Sequence, residues 1–218
     1  MVDIESFSSL VLQVAIETIY TAIQSLIYTL LVYSMIGYEW RAGKFLWFYY
    51  YITTSYVYFT LCGMMVVALT PGHQIAAIVM SFFLSFWNVF SGFLIPRPVH
   101  DLNILYLKIF RGTEKKKKTT NHCCIHSLQQ IPVWWRWYYW ATPVAWTLYG
   151  LITSQVGDKN SPLEVPGSAD IPVKTYIKEM FGFEYDFLHV VAVAHIGWCV
   201  LFFFVFAYGI KFLNFQRR

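Results

Sequence analysis

The sequence predicts an all-α membrane protein with about four transmembrane helices, a re-entrant aromatic helical segment and an extracellular loop. Three observations carry that prediction. Of the 218 residues, 57% are hydrophobic and only 13% are charged, against the roughly 25% charged of a soluble globular domain. The apolar residues fall in runs long enough to cross a hydrocarbon core of about 30 Å, which takes about 20 helical residues. Backbone groups in hydrocarbon must also find partners within their own segment, which helices provide and open strands do not.

The first span is read over Leu10 to Ile36. It follows an N-terminus, MVDIESFSSL, with two acids and no basic run of the kind that opens a cleaved signal peptide. The tight link GYEW leads to a second span, Phe45 to Leu69, and LTPGHQ leads to a third, Ile75 to Ile95. Ser91 and Gly92 are expected to continue that third helix until Pro96 and Pro98 stop it.

Val133 to Val156 is long enough to cross, yet it holds Arg136, Pro143 and many Trp and Tyr. Such rings favour the headgroup level, so the segment reads as interfacial or re-entrant. The polar stretch Gly157 to Asp186 reads as loop, with VKTYIKEMFGF a short helix, and the last span runs from Leu188 to Phe212. The chain therefore divides into three spans over 1–98, a Lys-rich insert at 99–129, the aromatic segment at 130–156, an outer loop at 157–187, and the last span with its tail at 188–218.

Residues 99–129 hold six basic residues against two acids and so carry the whole net charge of +4. The remainder is neutral and offers no general basic surface for nucleic acid. The 157–186 loop has six acids and three lysines, whereas the tail carries Lys211, Arg217 and Arg218. The positive-inside rule then places the tail, and with four spans the N-terminus, in the cytoplasm. That topology puts Lys115 to Lys118 outside, where a tetralysine run is disfavoured.

GTEKKKKT, Gly112 to Thr119, nearly matches a phosphate-binding loop, but Lys117 replaces its second glycine and no strand and helix flank it. It reads as a solvated charge run. His122, Cys123, Cys124 and His126 lie close together without zinc-like spacing. Cys62 and Cys199 fall inside apolar runs, so the four cysteines make no disulfide framework. No metal site, no cofactor site and no catalytic arrangement is expected in this chain; His189 and His195 lack an acid within helical reach.

Glu17, beside the amides Gln13 and Gln24, is ionisable within the first span. It either reaches the interface, pairs with a neighbouring helix, or takes part in function. Ser81, Ser85 and Asn88 stand at i, i+4 and i+7, which places them on one helical face. That face either lines a solute path or binds another helix.

FSGFLIPRP (90–98), QIPVWWRWYYWATPVAWTLYGLITSQVGD (130–158) and YGIKFLNFQRR, with QVAIETIY and MIGYEW, resemble the C-terminal part of plant pleiotropic-drug-resistance-type ABC transporters of the G subfamily. The resemblance covers the chain except 99–129 and implies part of the second ABC-2 type transmembrane domain. Such proteins export hydrophobic or amphipathic compounds with ATP, through two nucleotide-binding and two membrane domains. The resemblance therefore implies several partners: the lipid bilayer, a nucleotide-binding domain, another transmembrane half and a hydrophobic small-molecule substrate. ATP and Mg would be held outside this chain, which would be no enzyme by itself and would sit in the plasma membrane.

By position, Ser81, Phe82, Ser85 and Asn88 match the helix that lines the substrate cavity, and Phe93 and Leu94 match its hydrophobic valve. The alternative reading is a non-transporting interaction or regulatory module, or a non-functional truncated product.

The family pattern passes from IPRP through one residue to the aromatic segment, whereas 31 residues, Val99 to Gln129, intervene here. Val codons begin GT and CAG is a Gln codon, the dinucleotides of a splice donor and acceptor. The insert therefore reads as a retained in-frame intron. Transcript sequencing is expected to yield reads joining Pro98 to Gln130; abundant reads that all contain the insert would refute this.

Overall fold

The computed structural model describes residues 4–92, 135–163 and 171–213. It is helical throughout apart from one two-residue strand pair. In order, α1 is Ile4–Ile36, α2 Ala42–Leu69, α3 His73–Val89, α4 Arg136–Trp140 and α5 Pro143–Val156. Strands β1 (Pro162–Leu163) and β2 (Ile171–Pro172) follow, then α6 Val173–Phe181, a 3-10 turn at Tyr185–Phe187, and α7 Leu188–Leu213. Three helical stretches are long and apolar enough to cross a membrane: Ser8–Ile36, Ala42–Leu69 and Tyr185–Lys211. The Lys-rich insert at 99–129 lies outside the described residues.

The chain forms two compact units, residues 1–87 with 189–218, and residues 88–188. In the first, α1, α2, most of α3 and α7 pack around aromatic side chains. Tyr33 is fully buried at the end of α1. The rings of Tyr38, Trp40, Phe45 and Phe48 surround it at centroid distances of 5.2 to 5.7 Å. Its hydroxyl donates to the Glu39 carbonyl at 2.6 Å, which closes the GYEW turn over the ring. Gly37, at φ 72°, starts that turn in a left-handed conformation suited to glycine.

The contact between α1 and α2 is made by small and hydroxylated residues. Ser25 and Thr53 hydroxyls meet at 2.8 Å, and Tyr49 donates to the Ala22 carbonyl at 3.1 Å. Such groups let two helices approach closely without a hydrophobic driving force, which lipid does not supply. On its other sides α1 exposes Leu12, Ile16, Ile19, Ile23 and Leu31, the apolar surface a bilayer demands. Between α2 and α7, Tyr50 donates to the Ala192 carbonyl at 2.9 Å. Gly209 lets α7 approach α2 so closely that a Cβ there would sit 3.3 Å from Leu69.

The second unit is built on the aromatic run. Tyr139 and Ala145 are buried, with Phe90 and Trp135 packed against them. Phe90 stacks on Trp135 at 5.4 Å and meets Tyr138 edge-on at 5.3 Å. The run is not one helix but two, parted at Ala141 and Thr142. Pro143 starts α5, since its missing N–H costs nothing at a first helical position. The Trp146 indole donates to the Trp140 carbonyl at 2.8 Å, and the Thr142 hydroxyl to the Tyr138 carbonyl at 2.8 Å. These bonds satisfy carbonyls that the broken helix leaves open. The 14 residues of α5 rise about 21 Å, short of a hydrocarbon core of about 30 Å. That length agrees with a re-entrant element.

Past α5, β1 and β2 pair antiparallel, with Pro162 opposite Pro172 and Leu163 opposite Ile171. The α6 helix falls where the sequence placed a short helix and ends at Gly182, φ 71°, a left-handed cap. Tyr149 then ties the returning chain to α5: its hydroxyl accepts the Glu184 N–H at 2.7 Å and its ring lies 4.4 Å from that of Phe183. Lys178 and Glu184 pair at 3.0 Å. The hydrogen bond to Glu184 raises the Lys178 ammonium above its ordinary range, but both groups are exposed and the pair contributes little to stability.

One expectation needs correction. The third helix does not continue through Ser91 and Gly92 toward Ile95; it ends at Val89 after 17 residues, the short end of what can span. The Ser91 N–H and hydroxyl both turn back to the Asn88 carbonyl, at 3.4 and 2.8 Å. Gly92 sits at φ 91°, and a Cβ on it would lie 2.8 Å from Cε2 of Tyr139. The turn therefore stops the helix before Pro96 is reached. Gly92→Ala combines a strained backbone with that clash and is expected to cost about 1–3 kcal/mol. Thermal unfolding in detergent checks this, Ser91→Ala serving as the mild comparison.

Candidate translocation surface

The polar face of α3 is built from helical spacing alone. Ser81, Ser85 and Asn88 share one side, Phe82 stands beside them, and all four are exposed. Each serine satisfies its hydroxyl within the helix: Ser81 donates to the Ala77 carbonyl and Ser85 to that of Ser81, both at 2.8 Å. The hydroxyl oxygens still offer lone pairs outward, but no proton is left stranded. Phe82 is 58% exposed and lies against Phe86 at 4.6 Å. The result is a surface of aromatic rings interleaved with pre-satisfied hydroxyls and one amide. Either water or an apolar body can lie on such a surface without a large desolvation cost.

The four α3 residues singled out from the sequence all lie on that helix and are exposed. Phe93 and Leu94, assigned to the valve, lie outside the described residues. Glu17 is exposed and borders the narrow cleft between α1 and α2, with Thr18, Thr21, Thr60 and Met64 around it. Among the described residues no cation forms an ion pair with it.

The two histidines of α7 differ. His189 is exposed and meets Trp47 edge-on at 5.4 Å. His195 is fully buried between the rings of Tyr51 and Tyr58, at 5.4 and 5.9 Å. Sequence reasoning placed no weight on this cage because Tyr51 and Tyr58 lie on a helix distant in sequence. Among the described residues no three His, Cys, Asp or Glu side chains come together as a metal-holding group.

Comparison with known proteins bears on this surface. Residues 4–106 match the ABC-2 type transporter family. Over 206 residues the chain is 61% identical to ABC transporter G family member 39 of Arabidopsis thaliana. It is 58% identical over 207 residues to Pleiotropic drug resistance protein 2 of Nicotiana plumbaginifolia. It is 46% identical over 206 residues to ABC transporter G family member 44 of Oryza sativa subsp. japonica. Each alignment takes in 94% of this chain and 12% of the relative, so the chain spans about an eighth of the length of the proteins it matches.

Ser81→Cys and Ser85→Cys are expected to react with a membrane-permeant maleimide about ten-fold faster than the buried Cys62 thiol. Mass spectrometry of the labelled peptides checks this, and equal rates would contradict the exposure of the α3 face.

Proposed function

We propose that this chain, whose residues 4–106 match the ABC-2 type transporter family and which is 61% identical over 206 residues to a plant ABC transporter of the G family, forms part of the translocation pathway of an ATP-driven exporter of hydrophobic or amphipathic compounds. The observation that carries the proposal is the α3 face. An amphipathic solute crossing a bilayer needs a wall that holds its polar group without binding its apolar body too tightly. Phe82 offers ring area for the apolar part, and Ser81 and Ser85 offer hydroxyl oxygens whose protons are already bonded. Asn88 adds an amide at the far end of the same stripe. Weak, repeated contacts of this kind allow entry and release in turn.

In this reading Phe93 and Leu94 narrow the path beyond Asn88, an apolar constriction that stops polar leak while letting a greasy solute be squeezed through. Glu17, between α1 and α2, is the acid positioned to couple helix movement to the rest of the assembly. A second membrane half would face α3. ATP and Mg would be bound by nucleotide-binding domains outside these residues, supplying the free energy of closure. The assembly would lie in the plasma membrane with both termini of this chain cytoplasmic. With 99–129 read as intron sequence, the link from α3 to the aromatic segment becomes short.

The test is export of a fluorescent amphiphile from vesicles by the longest natural form of the protein. Ser85→Leu and Asn88→Leu, both on an exposed face, are expected to lower the rate about ten-fold, equivalent to about 1.4 kcal/mol. The unfolding midpoint should stay where it is. Val193→Leu, exposed on α7, is the control expected to transport normally. Unchanged export in both α3 variants would reject the pathway assignment, and a protein that never exports would favour the non-transporting module.

A further inference from the structure

Past Val89 the sequence predicts more helix, yet the chain turns at Ser91 and Gly92, and what holds that turn lies within the second unit. The backbone contributes little. The Ser91 N–H reaches the Asn88 carbonyl only at 3.4 Å, longer than the roughly 2.9 Å of a good N–H···O bond. The Ser91 hydroxyl adds a bond of 2.8 Å to the same carbonyl. The remaining hold is contact with rings from α4. A Cβ on Gly92 would lie 2.8 Å from Cε2 and 3.6 Å from Cζ of Tyr139, so the edge of that ring rests against the Gly92 backbone itself. Tyr139, Ser91 and Gly92 are all buried. A helix continued through Gly92 needs φ near about −63° in place of the observed 91°, so the turn and the longer helix are separate paths for the chain.

Spacing decides which rings of α4 meet the turn. Trp135, Tyr138 and Tyr139 stand at i, i+3 and i+4, one face of a helix, and all three face it. Phe90 stacks on Trp135 at 5.4 Å and meets Tyr138 edge-on at 5.3 Å, while Gly92 takes Tyr139. Trp137 and Trp140 are exposed. Behind them α5 braces the same short helix: Ala145 shares the core with Tyr139, and the Thr142 hydroxyl bonds the Tyr138 carbonyl at 2.8 Å. A shift of α4 along its axis would break the Phe90 stack and unseat Tyr139 together.

We propose that Tyr139 is a positioning residue for the C-terminal end of α3. Its ring, seated on Gly92, holds the turn at 88–92 and with it the place of Asn88, and the turn and α4 move as one body. The bearing of this joint on transport rests on the reading of α3 as a pathway wall; the joint itself does not.

The experiment uses the longest natural form of the protein, in nanodiscs for amide hydrogen exchange and in vesicles for export. Tyr139→Leu is expected to speed exchange of the amides at 89–92 about ten-fold by freeing the turn, with α2 peptides unchanged. Maximal export should fall about ten-fold, since a small misplacement along a binding surface is costly. Tyr139→Phe, which keeps the ring, should restore both to within about two-fold of the parent protein. If Tyr139→Leu fails to fold, which loss of protection in α2 would reveal, the joint is read instead from Phe90→Cys with Trp135→Cys. A short thiol-to-thiol crosslinker should join that pair, and the joined protein should export within about two-fold of its own unjoined sample. Exchange at 89–92 indifferent to Tyr139→Leu, a Tyr139→Phe variant that behaves as Tyr139→Leu does, or export stopped by the crosslink would overturn the proposal. Protein that shows the exchange pattern but never exports would count against the pathway reading and leave the joint standing.

Discussion

The constraint on which the structure depends is that hydrocarbon offers no partner to a polar group. Along α1, α2 and α3 six hydroxyls answer it in the same way, by donating to the carbonyl one turn back. Thr18, Thr54, Ser55, Thr60, Ser81 and Ser85 all do so, at 2.6 to 2.9 Å. A hydroxyl so bonded costs little in an apolar setting yet keeps its oxygen for a neighbour or a solute. The same device lets α3 carry serines on an exposed face.

Aromatic residues supply what the hydroxyls do not, namely area and direction. Tyr33 joins both roles, its ring held among four others and its hydroxyl closing the turn to α2. Tyr149 does the same in the second unit, where one hydroxyl and one ring fix the chain returning from α6. In each case the buried phenol finds a backbone partner near a turn, where helical carbonyls and N–H groups are otherwise unsatisfied. The aromatic richness of the chain thus works at the joints as well as in the spans.

Much of this was legible in the sequence. Apolar runs with few charges located α1, α2 and α7 to within a few residues, because length and hydropathy are set by bilayer thickness. The Pro143 signal and crowded Trp and Tyr marked a segment unlike the others, and the structure parts it into α4 and α5. The stripe of Ser81, Ser85 and Asn88 followed from helical period alone. The boundary of α3 did not: prolines at 96 and 98 were the visible stop, whereas the helix ends at Val89.

The sequence by itself determined which segments are helical, because burial in lipid and the 3.6-residue period act locally. Only the tertiary structure decided where α3 stops and how deeply His195 is enclosed. Position 92 has no room for a Cβ because the ring of Tyr139, 47 residues on, occupies that space. His195 is caged because Tyr51 and Tyr58 approach from another helix. Steric exclusion and shared burial between distant residues have no signature in any single run of sequence, and they settle what the local pattern leaves open.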